Sequence, residues 1–362
     1  MITDQASDDR VRDVLALVAP GTALRDGLER ILRGRTGGLI VLGWDRSVEQ
    51  LVNGGFALDV PFSATRLREL SKMDGAIVID SERQAIVRAA VQLVPDSNLP
   101  TEETGTRHRT ADRVSRQSRR PVISVSKSMN IIAIYVDGRR HVLEDSAQIL
   151  SRANQALATL ERYKARFDEV NGTLSSLEIE NIVTVRDLSV TSQRLEMVRR
   201  LRREVEGLVV ELGTEGRLLA LQMNELVASV DRDRLMLVRD YLVPANNRKK
   251  RGVDKALGQL DTLSEADLMD LTKVAAAFGF PETADALETA VTPRGFRLLA
   301  RVPRLPEVIT DRIVGHFGGL PKLLAASSED LQQVEGVGEA RARSVRDGVA
   351  RLAEASILDG FV

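Results

Sequence analysis

The 362-residue chain contains no cysteine. That excludes disulfides, thiolate zinc centres, iron–sulfur clusters and a cysteine nucleophile. Histidine is nearly absent too: His108, His141 and His316 lie far apart in the sequence, so a histidine-rich metal centre is not expected. Aromatic residues amount to 3 %, too few for a stacking platform that binds single-stranded nucleic acid. No apolar run approaches the roughly 18 residues that cross a bilayer, and no membrane partner is expected. The opening MITDQASDDRVRDVL is acidic and polar, unlike a secretory signal. A cytoplasmic protein is the expectation. An excess of one charge is also missing, since 51 basic residues face 52 acidic ones for a net −1. A globally basic nucleic-acid coat is excluded, while local basic sites stay open.

What is present reads as two or three domains. Over residues 1–147, short β-rich runs alternate with helical patterns. They are GLIVLG (Gly38–Gly43), AIVID (Ala76–Asp80), VISVS (Val122–Ser126) and IIAIYV (Ile131–Val136). Glycine, aspartate, proline or asparagine bounds each run, as strand ends require. Continuous apolar strands are buried on both faces, which predicts an α/β domain with a mixed sheet covered by helices. Residues 148–290 change character. Leu150, Ala153, Leu157, Leu160, Tyr163, Phe167, Val170, Leu174 and Leu177 recur at steps of three and four, as do Leu195, Val198, Leu201, Val205, Leu208 and Leu212. That is the period of long amphipathic helices, read as a self-packed all-α spine rather than a partner-binding coiled coil. The run NNRKKRG (Asn246–Gly252) reads as an exposed loop, and Pro293, Gly295, Pro303 and Pro306 as a hinge into the last segment, 291–362.

That last segment carries the string VEGVGEARAR, residues 334–343. Glycines on either side of one apolar residue permit a sharp turn with unusual dihedrals. Val337 can then fill the core while the amides of Gly336 and Gly338 face outward, beside the start of the next helix. Arg341 and Arg343 follow at once. The pattern resembles the helix-hairpin-helix element of DNA repair and recombination proteins, and Leu305–Phe317 with Gly318-Gly319-Leu320 reads as a degenerate first copy. From residue 290 onward 10 basic residues face 9 acidic ones. Backbone contacts of this kind carry no sequence readout, and such weak charge makes useful DNA binding a matter of several copies acting together.

Two N-terminal strings carry the chemistry. Ser71-Lys72-Met73-Asp74-Gly75-Ala76 runs straight into AIVID, and Gly105-Thr106-Arg107-His108-Arg109-Thr110 opens a helical pattern. A Gly-Thr helix start offers free amides and a hydroxyl to phosphate oxygens. Arg107, His108 and Arg109 add charge or donors there, and arginine–phosphate bonds are charge-assisted and often bidentate. Asp74 is an oxygen ligand suited to Mg²⁺ or Mn²⁺. Gly75 removes a side chain where a nucleotide needs close approach. A carboxylate opposite a cationic phosphate cradle suggests phosphoryl or nucleotidyl transfer.

DGA (Asp74–Ala76) with GTRHRTADR (Gly105–Arg113) resembles the paired signature of the diadenylate cyclase family. A cyclase domain joined to a helical spine and a terminal helix-hairpin-helix resembles, over essentially the whole chain, the DNA-scanning members of that family. The resemblance implies condensation of two ATP into cyclic di-AMP with release of two pyrophosphates. It implies ATP contacts at Gly75, Ala76, Leu93 and Thr106 to Thr110, with Asp74 as metal ligand and Arg107 and Arg109 at the phosphates. His108 is expected as a phosphate donor. It also implies subunits that pair so two ATP molecules face each other, a homo-octamer, association with the nucleoid, and binding of branched or damaged DNA through Gly336, Val337, Gly338, Arg341 and Arg343. The chain offers no second cradle, and a two-fold dimer supplies one by symmetry. Two rivals remain at this point. Lys72-Met73-Asp74-Gly75 also fits the adenylated-lysine motif of ligases, although Lys127 is the only lysine between Lys72 and Lys164. A non-enzymatic DNA-junction scaffold that merely senses nucleotide would use the same cradle.

Overall fold

The computed structural model describes residues 2–243 and 252–359, so the expected NNRKKRG loop lies outside the described residues apart from Gly252. The chain packs into two compact units. One comprises residues 1–155 and 205–221, the other 156–204 and 222–362. These units cut across the expected segments 1–147, 148–290 and 291–362. The two long helices divide their length between units, which a reading by contiguous segments cannot see.

The first unit opens with helices α1 (Ile2–Leu17) and α2 (Ala23–Arg33). Then come β1 (Gly38–Leu42), α3 (Arg46–Glu49), β2 (Val52–Asn53), β3 (Phe56–Pro61) and α4 (Ala64–Leu70). They are followed by β4 (Ala76–Asp80), β5 (Ala85–Leu93), α5 (Thr106–Ser118), β6 (Val122–Ser126), β7 (Ile131–Val136) and β8 (Arg139–Val142). The strands form one sheet in the order β2-β5-β4-β1-β6-β7-β8, with β3 also on β5. Only β1 and β4 run parallel, so the sheet is mixed, as expected. Successive side chains of a strand point to opposite faces, and both faces are buried. Ile40, Leu42, Ile77, Ile79 and Ile123 pack with Leu28, Ile31 and Leu67 of α2 and α4. Leu39, Val41, Val78, Val122 and Tyr135 pack with Ala111 and Val114 of α5. Burial on both sides is why these strands read as unbroken apolar runs.

The strands β2, β3, β5 and β8 were not expected. The edge strands β3 and β8 are largely exposed, and β5 carries Arg88 and Gln92. The ladder between β4 and β5 also slips, so that Ala76 pairs Val91 while Val78 pairs Arg88. This bulge holds Ala90 at φ +54°.

The second unit is helical. Helices α6 (Ser146–Glu180) and α7 (Val185–Leu212) supply most of their length to it. They are followed by α8 (Arg217–Leu226), α9 (Val230–Tyr241), α10 (Val253–Thr262), α11 (Glu265–Met269), α12 (Leu271–Phe278) and α13 (Ala284–Leu287). Leu157, Leu160, Phe167 and Leu174 are buried, as a self-packed spine requires, whereas Leu150 and Tyr163 of the same stripe are exposed.

The expected hinge at 293–306 is instead tied down. Helix α14 (Phe296–Ala300) begins at Gly295, and the buried Asp240 carboxylate accepts N–H bonds from Gly295, Phe296 and Arg297, each at 2.7 Å. Arg297 pairs with Glu178 at 2.5 Å and donates to Asn171 Oδ1 at 2.7 Å. Tyr241 donates to Glu178 at 2.6 Å. Burial and the neighbouring Glu178 charge push the Asp240 carboxyl up to about 7, against the pull of Arg297 and the amides. The start of this stretch is held by buried Asp240 and by the buried Arg297–Glu178 pair, which the spacing of prolines and glycines does not reveal.

Four further helices complete the chain: α15 (Glu307–Phe317), α16 (Leu320–Ala325), α17 (Ser328–Gln332) and α18 (Glu339–Asp359). Gly318-Gly319 joins the first two, and residues 333–338 join the last two. Ile309, Ile313, Leu320, Leu331, Val337, Ala342 and Val345 share their core.

Candidate active site and hairpin turns

Strand order assembles the N-terminal candidates. The parallel pair β1 and β4 starts at one sheet edge, where β5 and β6, antiparallel to them, end. That edge therefore carries Gly37, the Asp74-Gly75 bend, Leu93 and Ser126. The first turn of α5 joins it, because Arg107 donates to the Val125 carbonyl at 3.5 Å. The structure thus brings together Asp74, Gly75, Ala76, Leu93, Thr106 and Arg107, which are scattered over more than thirty positions of sequence.

Each has a local reason to be there. Gly75 sits at φ +107°, and a Cβ on it would stand 2.6 Å from the Ala90 carbonyl carbon. The bulge at Ala90 thus presses on the backbone that only glycine leaves free, and Gly55, at φ +74°, is pressed against it in the same way. Ala76 is buried as the first residue of β4, and Leu93 is buried opposite Val52. Asp74 is exposed and has no ion pair or side-chain hydrogen bond among the described residues. Helix α5 starts at Gly105 with no side-chain cap, which leaves its first amides unclaimed by any cap. Arg107 and Arg109 are exposed. The Arg107 guanidinium occupies the space a side chain at Gly37 would need, since a Cβ there would be 2.6 Å from its Nη1.

Two expected contacts are otherwise engaged. The Thr110 hydroxyl donates to the Thr106 carbonyl at 2.9 Å. His108 points inward: it is 7 % exposed, and its Nδ1 lies 2.8 Å from the Tyr135 hydroxyl. Burial is the main cause that lowers its pKa below the usual 6.5; Glu103 opposes the shift, and Arg140 and Arg107 reinforce it. Sequence reasoning overlooked Gly37 and Ser126-Lys127-Ser128, which share this edge. Ser126 accepts from the Met129 amide at 3.3 Å, and Lys127 is exposed. A serine pair just after a strand is a faint signal, and only the neighbourhood of β6 and β1 gives it a place.

Among the described residues there is no cluster of three or more His, Asp or Glu side chains able to hold a metal. A lone exposed Asp74 still fits Mg²⁺, which is commonly bound by one or two carboxylates, with substrate phosphates and water completing its shell.

At the C-terminal turn, Val337 is buried as expected. The two glycines differ. Gly336 has φ +84°, and a Cβ on it would lie 2.9 Å from Ile309 Cδ1. Gly338 has no positive φ, and open space surrounds its missing Cβ, so the expectation of unusual dihedrals at both is corrected to Gly336 alone. Arg341 donates to the Gly336 carbonyl and Arg343 pairs with Glu339, both in exposed positions.

With this geometry in place, the comparisons decide the family. Residues 25–140 match the model of the DisA bacterial checkpoint controller nucleotide-binding domain, and residues 143–287 match that of the DisA bacterial checkpoint controller linker region. The chain belongs to the DisA family. It is similar to the DNA integrity scanning protein DisA of Streptomyces coelicolor, at 65 % identity over 98 % of this chain and 95 % of that one. The DisA of Frankia alni is 64 % identical over 98 % of both chains, and that of Acidothermus cellulolyticus 60 % over 99 % and 98 %. A solved structure of DacA from Staphylococcus aureus matches 38 % of this chain and 90 % of its own at 24 % identity, with a TM-score of 0.30, too low to carry an argument. The DisA nucleotide-binding match contains Asp74 to Ala76, Leu93 and Thr106 to Thr110. No helix among the described residues is long and apolar enough to cross a membrane.

Proposed function

We propose that the chain is a diadenylate cyclase that joins two ATP into cyclic di-AMP and two pyrophosphates across a subunit interface. The observation that carries this is the single sheet edge holding Asp74-Gly75 beside the uncapped start of α5. The relatives named DNA integrity scanning protein, and the matching nucleotide-binding family, support it. The α5 amides and the Thr106 hydroxyl bind phosphate oxygens, Arg107 and Arg109 neutralise the departing pyrophosphate, and Gly75, Ala76 and Leu93 shape the nucleoside side. Asp74 and the phosphates would hold Mg²⁺ or Mn²⁺, which supplies charge neutralisation and a lowered pKa for the attacking 3′-hydroxyl. One cradle per chain makes one ATP per subunit, so two subunits face each other, within a homo-octamer. Catalysis is then positioning and charge stabilisation, with no protein nucleophile.

The hairpin turns at Gly318-Gly319 and Gly336–Gly338 are the DNA-facing part, with Arg341 and Arg343 beside the second. They hold branched or damaged DNA by its phosphates and lower cyclase output when occupied. A cytoplasmic, nucleoid-associated enzyme follows.

Incubation with ATP and Mg²⁺ or Mn²⁺, followed by chromatography, is the test. Cyclic di-AMP with about two pyrophosphates per product supports the reading, and ATP bound but returned unchanged supports the scaffold. The ligase rival predicts a covalent adenylate on Lys72 that survives denaturing electrophoresis. The exposed ion pair of Lys72 with Glu69, 2.6 Å apart, speaks against it.

A further inference from the structure

The chain contains two Asn-Gly pairs, Asn53-Gly54 and Asn171-Gly172. Every other asparagine among the described residues is followed by a long or branched side chain. The structure treats the two pairs in opposite ways. Asn53 ends β2, a strand of two residues at the sheet edge, and its side chain is exposed with no hydrogen bond among the described residues. Gly54 lies between β2 and β3 at φ +66°, with no atom within 4 Å of where a Cβ would stand. Its amide makes no backbone hydrogen bond among the described residues. Attack by that nitrogen on Asn53 Cγ closes a five-membered ring, and a glycine leaves the nitrogen unshielded.

Asn171-Gly172 lies inside α6, where the Gly172 amide is spent on the helical ladder. The Asn171 carbonyl accepts from the Ser175 hydroxyl at 3.0 Å, and its Oδ1 accepts from Arg297 at 2.7 Å. Main chain and side chain are both held, so the ring cannot close without opening the helix.

We propose that Asn53 is a site of spontaneous deamidation that turns the β2 edge into a β-aspartyl linkage, while Asn171 is preserved by its helix. The Gly54 nitrogen gives its proton to solvent hydroxide and bonds to Asn53 Cγ. The Cγ–Nδ2 bond breaks, and ammonia leaves with a proton from water. Water then opens the succinimide. Cleavage of the new bond leaves an ordinary aspartate, and cleavage of the original main-chain bond leaves a backbone that runs through the side chain. Water enters, ammonia departs, and no oxidant takes part. The second product lengthens the chain between β2 and β3 by one carbon. Gly55 cannot yield, since a Cβ on it would stand 2.5 Å from the Ala89 carbonyl oxygen, and β3 is the longer strand. The change therefore falls on β2, which pairs Val52 with Leu93 and Asn53 with Gln92 and takes the Val94 N–H on the Leu51 carbonyl at 2.8 Å. None of this depends on the cyclase reading.

The test holds the full-length protein at mildly alkaline pH, samples it over days and follows each asparagine by peptide mass spectrometry. Isoaspartyl methyltransferase with labelled S-adenosylmethionine marks β-aspartyl carboxylates. Asn53 should react at least about tenfold faster than Asn171, because attack at Asn171 first needs the helix interior opened. In urea the two rates should converge. The peptide holding residue 53 should take the methyl label, and the same peptide of Asn53→Gln, which would have to close a larger ring, should not. The β-aspartyl fraction, separated by ion exchange, should exchange its Val94 amide about tenfold faster than fresh protein, whereas Asn53→Asp should not. Asn171 reacting as fast as Asn53 in the folded chain, no methyl label on the residue-53 peptide, or unchanged exchange at Val94 in the β-aspartyl fraction would each overturn the proposal. So would a folded-state rate at Asn53 about tenfold or more below its rate in urea, which would mean that the ladder to Gln92 protects it.

Discussion

Two helix starts in this chain meet the same electrostatic problem in opposite ways. At α14, Asp240 takes the amides of Gly295, Phe296 and Arg297 at 2.7 Å each, and Glu178 takes the guanidinium of Arg297. At α5, Gly105 provides no side-chain cap, no acidic residue stands in the first turn, and Arg107 and Arg109 are exposed. Unclaimed amides at a helix N-terminus attract an anion. The first helix start has its anion built in and buried. The second leaves the place open at the edge where Asp74 also stands without a partner among the described residues. The difference teaches where to look for function: the junction in the helical unit is saturated, and the cradle is not.

The sharpest way to break this comparison is to change the cradle and watch only activity. Asp74→Asn keeps shape and removes charge, so cyclic di-AMP formation should fall about a thousandfold or below detection, with an unchanged melting temperature. Near-normal product would strip Asp74 of its assignment as the metal ligand. Arg107→Ala with Arg109→Ala comes next. Each charge-assisted bond to phosphate is worth about 1.5–3 kcal/mol, so the pair should cost a hundredfold or more in affinity for a non-hydrolysable analogue. Unchanged affinity by titration calorimetry would return both arginines to an ordinary solvated face.

The capped start should respond in the other currency. Asp240→Ala leaves three buried amides and part of a charge cluster without a partner, at a cost of about 3 kcal/mol or more to the helical unit. Analogue affinity at the cradle should stay within about twofold. The two starts should also answer pH with opposite signs. Asp240 is raised to about 7 when folded, so its contribution is full below the ordinary carboxylate range and is lost as pH rises through 7. His108 is lowered, so its contribution is present above 6.5 and is lost as pH falls below that value. Amide hydrogen exchange from pH 8 to pH 5, corrected for intrinsic rates, should show protection rising at α14 and falling at the start of α5. Parallel trends would mean that neither group controls its helix.

Much of this architecture was legible because both faces of the sheet are buried: β4, β6 and β7 begin and end where the apolar runs do. The motif residues of the cradle were legible as well, since glycine at Gly75 and a Gly-Thr helix start have local physical signatures. What stayed hidden is non-local. Gly37 and Ser126 gain meaning only from the neighbour order β4-β1-β6. The inward turn of His108 depends on Tyr135, 27 residues away. The hinge expected over 293–306 is held at its start by Asp240 and Glu178, which sequence spacing does not connect to Gly295 and Arg297. The exposure of Leu150 and Tyr163 within a stripe whose other members include the buried Leu157, Leu160, Phe167 and Leu174 shows the same limit, because period fixes a face and not its neighbours.

The smallest effect separates two glycines that the sequence treats alike. Gly336 lies at φ +84° with Ile309 Cδ1 2.9 Å from where a Cβ would sit, so alanine there meets both backbone strain and a crowded core. Left-handed backbone costs a non-glycine residue roughly 1–2 kcal/mol, and Gly336→Ala should lower the stability of the last four helices by about that much. Gly338 has neither problem, and Gly338→Ala should change stability by no more than about 0.5 kcal/mol. If Gly338 is kept for function, its value lies in the open space around it, which lets a phosphate approach the amides at the start of α18. A methyl group placed there should weaken junction DNA about threefold to tenfold in gel shifts at low salt, while leaving urea unfolding unchanged. The pair then sorts a turn-forming glycine from a contact-permitting one. Equal DNA affinity for Gly338→Ala and wild type would move the DNA-facing surface away from this turn, toward Gly318-Gly319.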